Sequence, residues 1–196
     1  MEKKAIETFC PVDRLQWREW LQKHHRTKAS IWLIYYRKKT NLSTLTWSDA
    51  VDEALCFGWI DSTSKPIDDE KFMQFFTRRK TNSVWSKINK GKVQRLIDEG
   101  LMMPAGLESI EVAKQNGSWA ILDDVEELKI PKDLEKAFKS QHGAKACFER
   151  LSRSVKKAML YRLVLAKRPE TREQRIADIM TSLAEQLKPP RKKTKK

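Results

Sequence analysis

The apolar segment from Ser30 to Tyr36 constrains the fold more than any other part of this chain. It reads Ser-Ile-Trp-Leu-Ile-Tyr-Tyr, so β-branched or aromatic residues fall on both faces of an extended backbone. Such residues favour the pleated surface of a sheet, and strands that are apolar on both faces are typical of a sheet interior. The segment therefore predicts a central β-strand.

Helical and strand patterns alternate around this strand. Apolar spacing predicts a first helix from Asp13 to His24, and Thr46 begins a second helix that should end at Gly58. Ile60–Lys65 and Lys71–Arg79 have strand character on either side of the turn Pro66-Ile-Asp-Asp-Glu, which indicates an antiparallel hairpin. We therefore predict the α+β class, with a small three-stranded antiparallel sheet and packed helices.

The second half of the chain is predicted to be helical. Ser83 is placed to cap a helix that runs to Gly100, and a further helix is predicted over Pro104–Gln115. Four more helices are predicted over Pro131–Gln141, Ala144–Leu151, Ser154–Arg168 and Glu170–Leu187. The predicted organisation is an α+β domain over 1–117, an acidic connection over 118–130, a helical region over 131–187 and a disordered basic tail over 188–196.

Charge and composition limit the class of protein. The chain of 196 residues is 40% hydrophobic and carries a net charge of +14, six charges of which belong to the tail. No apolar run approaches the roughly 18 residues of a membrane span, and the N-terminus lacks a secretory signal. Cys10, Cys56 and Cys147 are odd in number and far apart, which predicts no disulfide framework or zinc ribbon. We expect a soluble cytoplasmic protein without a membrane span, and the sequence leaves its oligomeric state open.

The second predicted helix has two different faces. The apolar stripe consists of Trp47, Val51, Ala54 and Leu55. The other stripe consists of Asp49, Asp52, Glu53 and Cys56. Three carboxylates in about two turns could hold a cation, share a proton or hold a basic ligand. A solvated face, or ion pairs with Arg78, Arg79 and Lys80, is the favoured alternative.

A cysteine nucleophile is not favoured. Negative charge on Asp52 and Glu53 raises the pKa of the Cys56 thiol, whereas the thiolate is the reactive form. No histidine has an acidic partner nearby in sequence that would suggest a triad. We therefore lean against an enzyme, leave an unassigned reaction open, and expect no cofactor and no metal.

The segment from Ser83 to Asn89 is a candidate anion site. Two hydroxyls, an amide and free backbone N–H groups would lie on the first helical turns, with basic residues just upstream. Capping by Ser83 with Trp85 in the core is an equally supported alternative. A pocket formed by residues 47–62 and 75–89 would bind a small or anionic ligand. Its predicted contacts are Asp52, Glu53, Cys56, Trp59, Asp61, Arg78, Ser83, Trp85, Ser86 and Asn89.

Nonspecific nucleic-acid binding through the basic C-terminal helices and tail is the alternative function. Residues 152–187 carry eight Lys or Arg against four acids. Such a surface binds phosphate backbones with little sequence preference. The residues in question are Lys156, Lys157, Arg172, Arg175, Arg191, Lys192 and Lys193.

The chain also resembles a known family. The motifs are Trp47-x-x-Ala-Val-Asp-Glu-Ala-Leu-Cys-Phe-Gly-Trp-Ile-Asp-Ser62, Phe76-Thr-x-Arg-Lys80 and Ser83-x-Trp-Ser-Lys-Ile-Asn89, with Ala166-Lys-Arg-Pro-Glu-Thr-Arg-Glu-Gln-Arg-Ile176 further on. They resemble the bacteriocin-protection, YdeI/OmpD-associated family over most of residues 8–187, except that Arg78 stands where the family pattern has proline. The resemblance implies a link to tolerance of bacteriocins and cationic antimicrobial peptides, without an established reaction. Since a chain of net charge +14 repels cationic peptides at long range, an indirect intracellular role is favoured.

Overall fold

The computed structural model, which describes residues 6–37, 40 and 45–187, places the apolar segment in the interior of a sheet. The four strands are β1 (Thr8–Phe9), β2 (Ser30–Tyr36), β3 (Trp59–Pro66) and β4 (Lys71–Arg78), in the order β1-β2-β4-β3. β4 pairs antiparallel with β2 and β3, whereas β1 pairs parallel with β2. The α+β class is confirmed. The three predicted strands β2, β3 and β4 are antiparallel as expected, but the predicted sheet lacks the parallel strand β1, which is only two residues long and gives no alternation to detect.

Four helices of the first unit, Met1–Trp119, pack with this sheet. They are α1 (Arg14–His24), α2 (Trp47–Cys56), α3 (Lys87–Asp98) and α4 (Pro104–Gln115). Asp13 and Thr46 cap α1 and α2 as expected from their sequence positions. The predicted cap at Ser83 is wrong: Ser83 closes a turn to the carbonyl of Lys80, and Ser86 caps α3 instead.

The core of the first unit lies on one face of the sheet. Ile31 and Leu33 of β2 point into it together with Phe76 of β4, and they meet tryptophans such as Trp17 and Trp59. The side chains between them on β2 point to the opposite face and are only half-buried. The two faces of the sheet therefore have different surroundings.

The second unit, Ala120–Lys196, is helical in its described part. Its helices are α5 (Asp123–Glu126), α6 (Lys132–Lys139), α7 (Ala144–Arg150), α8 (Arg153–Val164) and α9 (Pro169–Leu187). The last four correspond to predicted helices, whereas α5 is one turn of helix inside a segment predicted to be irregular. The tail predicted over 188–196 lies outside the described residues. Among the helices that are described, none is long and apolar enough to cross a membrane.

Candidate functional site

Asp52 of α2 is a buried carboxylate that is fully paired. It is 4% exposed, and its Oδ1 accepts a hydrogen bond from Lys92 Nζ at 2.6 Å. Its Oδ2 accepts a second hydrogen bond from Arg95. Both cations belong to α3, so the ion pairs of Asp52 link α2 to α3.

Glu53, the next residue, is paired in the same way with α1. It is 2% exposed and accepts hydrogen bonds from Arg14 Nε at 2.5 Å and Arg18 Nη1 at 2.6 Å. Arg18 also donates to the carbonyl of Leu101 at 2.9 Å. The expected ion pairs with residues 78–80 are therefore wrong: the partners come from α1 and α3, two of the helices that pack against α2.

The paired carboxylates do not form an open cation site. Each buried carboxylate already has two cationic partners, which compensate for its removal from water. Within the described part of the chain, no group of three or more His, Cys, Asp or Glu side chains is placed to hold a metal ion. The arrangement connects three helices and presents no free carboxylate.

Cys56, at the end of α2, is a buried thiol. Burial and the neighbouring Glu53 carboxylate, opposed by Arg18, together raise its pKa to about 11. Burial is the largest cause, whereas the sequence pointed to neighbouring charge alone. At neutral pH this side chain is a neutral thiol and a poor nucleophile.

Several other predicted ligand contacts have structural partners. Trp59 is buried in the core and donates from Nε1 to the carbonyl of His25 at 3.2 Å. Asp61 accepts hydrogen bonds from Trp47 Nε1 and Gln74 Nε2, each at 3.0 Å. Trp47 was expected in the apolar stripe but is exposed, because its indole turns outward to reach Asp61.

Two further predicted contacts, Ser86 and Asn89, form the N-terminal cap of α3. Ser86 Oγ accepts a hydrogen bond from the backbone N–H of Asn89 at 3.2 Å, which is ordinary capping geometry. Ser83 lies before the helix, in the turn that precedes it. Neither serine lines the pocket described next, and nor does Asn89.

A pocket of about 270 Å³ lies where β4 ends, and we call it the arginine pocket. Four segments contribute to it: the turn after α1, the turn after α2, the end of β4 with the following loop, and α4. Its lining residues are His25, Arg26, Phe57, Gly58, Arg78, Arg79, Lys80, Thr81, Trp85, Ala105, Glu108, Ser109 and Val112. Of the ten predicted ligand contacts, the structure brings Arg78 and Trp85 together here.

The arginine pocket is strongly basic. Arg26, Arg78, Arg79 and Lys80 contribute four cationic side chains, against one carboxylate from Glu108. Within the ranges that the structure describes, none of the four cations forms an ion pair. Among the described residues these cations therefore have no direct carboxylate partner, in contrast to the cations around Asp52 and Glu53.

Arg79 is the most unusual side chain in the pocket. Its guanidinium carbon lies 3.6 Å from the ring centroid of Trp85, and its Nη2 donates to the carbonyl of Val84 at 2.9 Å. Nη1 is buried, and no residue in the described part of the chain accepts a hydrogen bond from it. Burial lowers the pKa of Arg79 to about 10, with Asp61 opposing, so the group remains cationic at neutral pH.

Two glycines allow α4 to form one wall of the pocket. A Cβ at Gly106 would lie 2.3 Å from the carbonyl oxygen of Cys56, and a Cβ at Gly58 would lie 2.8 Å from that of Ala105. Gly58 also has a φ of +71°, which favours glycine. The backbones of α4 and the turn after α2 are therefore in direct contact.

Sequence reasoning missed most of this pocket. Apart from its place in the Phe76-Thr-x-Arg-Lys80 motif, Arg79 was predicted only as a partner for the acidic stripe, and His25, Glu108 and Ser109 were not among the predicted contacts. Gly106, in the first turn of α4, was the one local indication of a close helix contact.

The candidate nucleic-acid residues in the second unit mostly bind protein groups. Lys157 Nζ lies 2.7 Å from a carboxylate oxygen of Glu126, and Arg172 Nε lies 2.5 Å from one of Asp133. Lys156 and Arg175 donate to backbone carbonyls. The other three candidates, Arg191, Lys192 and Lys193, lie outside the described residues.

Fold and pocket together define an α+β unit with a basic, tryptophan-walled pocket, accompanied by a helical unit. Residues 9–109, just over half of the chain, match the model of a domain of unknown function, DUF8412, and the chain belongs to that family. Residues 127–186 match the family described as bacteriocin-protection, YdeI or OmpD-associated, so the resemblance predicted from the sequence is confirmed over this segment. The motifs between residues 47 and 89 fall in the first match, and the 166–176 motif falls in the second. No curated protein and no solved structure matches the chain.

Proposed function

We propose that this protein binds a small anionic ligand in the arginine pocket. The ligand would carry a phosphate, sulfate or carboxylate group for the cations and a planar apolar part for the wall that contains Trp85. The pocket volume of about 270 Å³ suits a compact molecule rather than a folded partner. In this proposal, protection against bacteriocins follows indirectly from the ligand, in the cytoplasm, because the net charge of +14 opposes direct capture of cationic peptides.

The observation that carries the proposal is the buried Nη1 of Arg79, for which no described residue supplies an acceptor. A buried donor without an acceptor destabilises a protein by about 1–3 kcal/mol, and more when the group is charged. An anion in the pocket would supply the acceptor that the described protein groups do not. Stacking on Trp85 fixes the plane of the guanidinium, which prepares it for the paired hydrogen bonds that arginine makes with carboxylates and phosphates.

Other lining residues would adjust selectivity. The Glu108 carboxylate can accept a hydrogen bond from a ligand hydroxyl or amine, and it disfavours ligands that carry excess negative charge. Ser109 Oγ donates to the carbonyl of Gly106 at 2.7 Å, so its oxygen is left to accept from a ligand donor. The pocket thus suits an anion that also bears a hydrogen-bond donor.

Calorimetric titration with phenyl phosphate and inorganic phosphate tests the proposal. At constant ionic strength, phenyl phosphate should bind more tightly, because its ring can pack on the apolar wall. Arg79→Gln should weaken phenyl phosphate binding by roughly 10- to 100-fold, the value of one or two charge-assisted hydrogen bonds. Arg150→Gln removes the same charge from an exposed position on α7 and should change the affinity by less than about twofold.

Two results would contradict the proposal. Equal losses of phenyl phosphate affinity in Arg79→Gln and Arg150→Gln would show that the ligand is attracted by the net charge of the chain alone. Absence of binding by either compound, and by a panel of small carboxylates, would remove the pocket as an anion site. Arg79→Lys adds a further check, since it keeps the charge but cannot present the planar fork, and it should bind nearly as weakly as Arg79→Gln.

A further inference from the structure

The sheet of the first unit has a second face that takes no part in the described core of that unit. On β2, Ile31, Leu33 and Tyr35 enter the core, whereas Trp32, Ile34 and Tyr36 point the opposite way and are half-buried. Met73 and Phe75 of β4 lie on that same side. Among the described residues of this unit, none of these five belongs to the core or packs against it. We call Trp32, Ile34, Tyr36, Met73 and Phe75 the aromatic face.

Strand register places the aromatic side chains next to each other. Trp32 is directly opposite Phe75, with ring centroids 4.8 Å apart. Tyr36 follows Trp32 on the same side of β2, with Ile34 between them. Successive side chains on one face of a strand are roughly 7 Å apart, so Tyr36 lies about 14 Å along the strand from Trp32. The face therefore carries the tilted Trp32–Phe75 ring pair at one end and Tyr36 at the other.

Two lysines place positive charge directly on this face. Lys65 Nζ lies 5.1 Å from the ring centroid of Trp32, and Lys71 Nζ lies 5.2 Å from that of Tyr36. Neither forms an ion pair with any residue in the described ranges. The outward positions of β2 and β4, from 30 to 36 and from 71 to 77, contain no acidic residue.

We propose that the aromatic face binds single-stranded nucleic acid. Bases would stack on Trp32 and Phe75, and Lys65 and Lys71 would leave the rings to contact phosphates. Aromatic rings beside basic side chains are the combination that binds single strands without sequence preference, and a duplex keeps its bases inaccessible. A second copy of the chain fits less well, because two such faces would bring lysines of two +14 chains together.

The aromatic face and the basic C-terminal segment would bind nucleic acid by different interactions. A basic helix or tail attracts duplex and single strand through phosphates alone, so it does not depend on aromatic side chains. The aromatic face should instead prefer single strands. It also shares no lining residue with the arginine pocket, so Arg79→Gln should leave nucleic-acid binding unchanged.

Fluorescence anisotropy with the full-length chain provides the test. The probes are a labelled oligouridine of about 12 nucleotides and a duplex of the same length. The parent chain should bind the single strand more tightly than the duplex. The double variant Trp32→Ile, Phe75→Ile keeps apolar, β-branched side chains but removes the rings, and it should weaken single-strand binding by roughly tenfold or more. Its duplex binding should stay within about twofold.

Matched variants separate stacking from other effects. Trp32→Phe keeps a ring and should retain binding to within about threefold, whereas Tyr161→Leu removes an exposed ring on α8 and should change nothing. The double variant Lys65→Gln, Lys71→Gln should have a weaker salt dependence, with the slope of log affinity against log salt less steep by about one. Thermal unfolding of each variant verifies that the first unit is folded.

Several outcomes would overturn the proposal. These are the absence of single-strand binding at about 50 mM salt, equal affinity for duplex and single strand, or full affinity in the ring-deletion double variant. Should that variant fail to fold, an unchanged salt slope in the folded lysine double variant overturns it instead. Binding to anionic phospholipid vesicles, or self-association, that depends on the rings while oligouridine does not bind would assign the face to a membrane or to a second copy.

Discussion

Glu53→Gln tests whether the buried carboxylates stabilise the first unit. Glutamine keeps the size and shape of glutamate, so no cavity is created. The substitution removes the negative charge and replaces one acceptor oxygen with an NH₂ group that faces a guanidinium. Arg18 would then lose its carboxylate partner, and Arg14 would keep only Asp49, whose Oδ1 lies 3.6 Å from its Nη1.

The expected loss follows from the two hydrogen bonds. Each charge-assisted hydrogen bond contributes about 1.5–3 kcal/mol, and removing one member of a buried ion pair costs about 3–5 kcal/mol. The Arg14 and Arg18 side chains are 39% and 25% exposed and can regain water, which favours the lower end, about 3 kcal/mol. At an unfolding entropy of about 2.1 cal/mol/K per residue, a unit of this size should lose roughly 12 °C in Tm.

Tryptophan fluorescence is the natural assay, because all seven tryptophans lie at or before Trp119. The signal therefore reports on the first unit alone. Glu111→Gln is the control, since Glu111 is 60% exposed and its pair with Lys114 should contribute less than about 0.5 kcal/mol. If Glu53→Gln lowers the free energy of unfolding by less than about 1 kcal/mol, or raises it, this prediction is refuted. The Glu53 carboxylate would then have a role other than stabilising the first unit.

Three further predictions concern packing, thiol access and pH. Gly106→Ala should destabilise the first unit by about 2–3 kcal/mol in the same fluorescence assay, because the added methyl group meets the carbonyl of Cys56; an unchanged Tm would contradict this contact. Maleimide should label Cys10 in the native protein and the two buried cysteines only after unfolding, as peptide mass spectrometry would show; native labelling of Cys56 would contradict its burial. The hydrogen bond from Arg172 holds the pKa of Asp133 below its usual range, so its stabilisation is present above the unfolded-state pKa and lost as pH falls through the folded-state value. Asp133→Asn should therefore destabilise the second unit by about 0.5 kcal/mol at neutral pH, since the side chain is 42% exposed, and by nothing in strong acid; a pH-independent difference in far-UV circular dichroism melts would refute this.

Local patterns predicted the elements well where the deciding information lies within a few residues. The β2 strand follows from an unbroken run of strand-forming residues, and the α2 cap follows from Thr46, whose side chain accepts from the Asp49 N–H at 3.1 Å. Both ends of α4 were predicted from Pro104 and from the Asn116-Gly117 stop. These features depend on backbone preferences that the residues of a short segment determine by themselves.

Long-range partners could not be predicted in the same way. Ser83 and Ser86 are equally good caps by residue type, and a hydrogen bond in the preceding turn selects Ser86. Helical spacing placed Asp52 and Glu53 on one face, but the cations that pair with them come from helices about 40 residues away. The arginine pocket combines segments from His25 to Val112, and periodicity contains no information about which turns meet.

The contact of α4 with the turn after α2 has a kinetic consequence. Because Gly58 and Gly106 bring backbone against backbone, this wall cannot swing outward without separating two main-chain segments. An anion would therefore enter a preformed opening, with no slow rearrangement before capture. Its association rate should be set by diffusion and by the positive field of the chain, and it should fall as salt is added. Differences among pocket variants should consequently be found in how long the ligand stays, rather than in how fast it arrives.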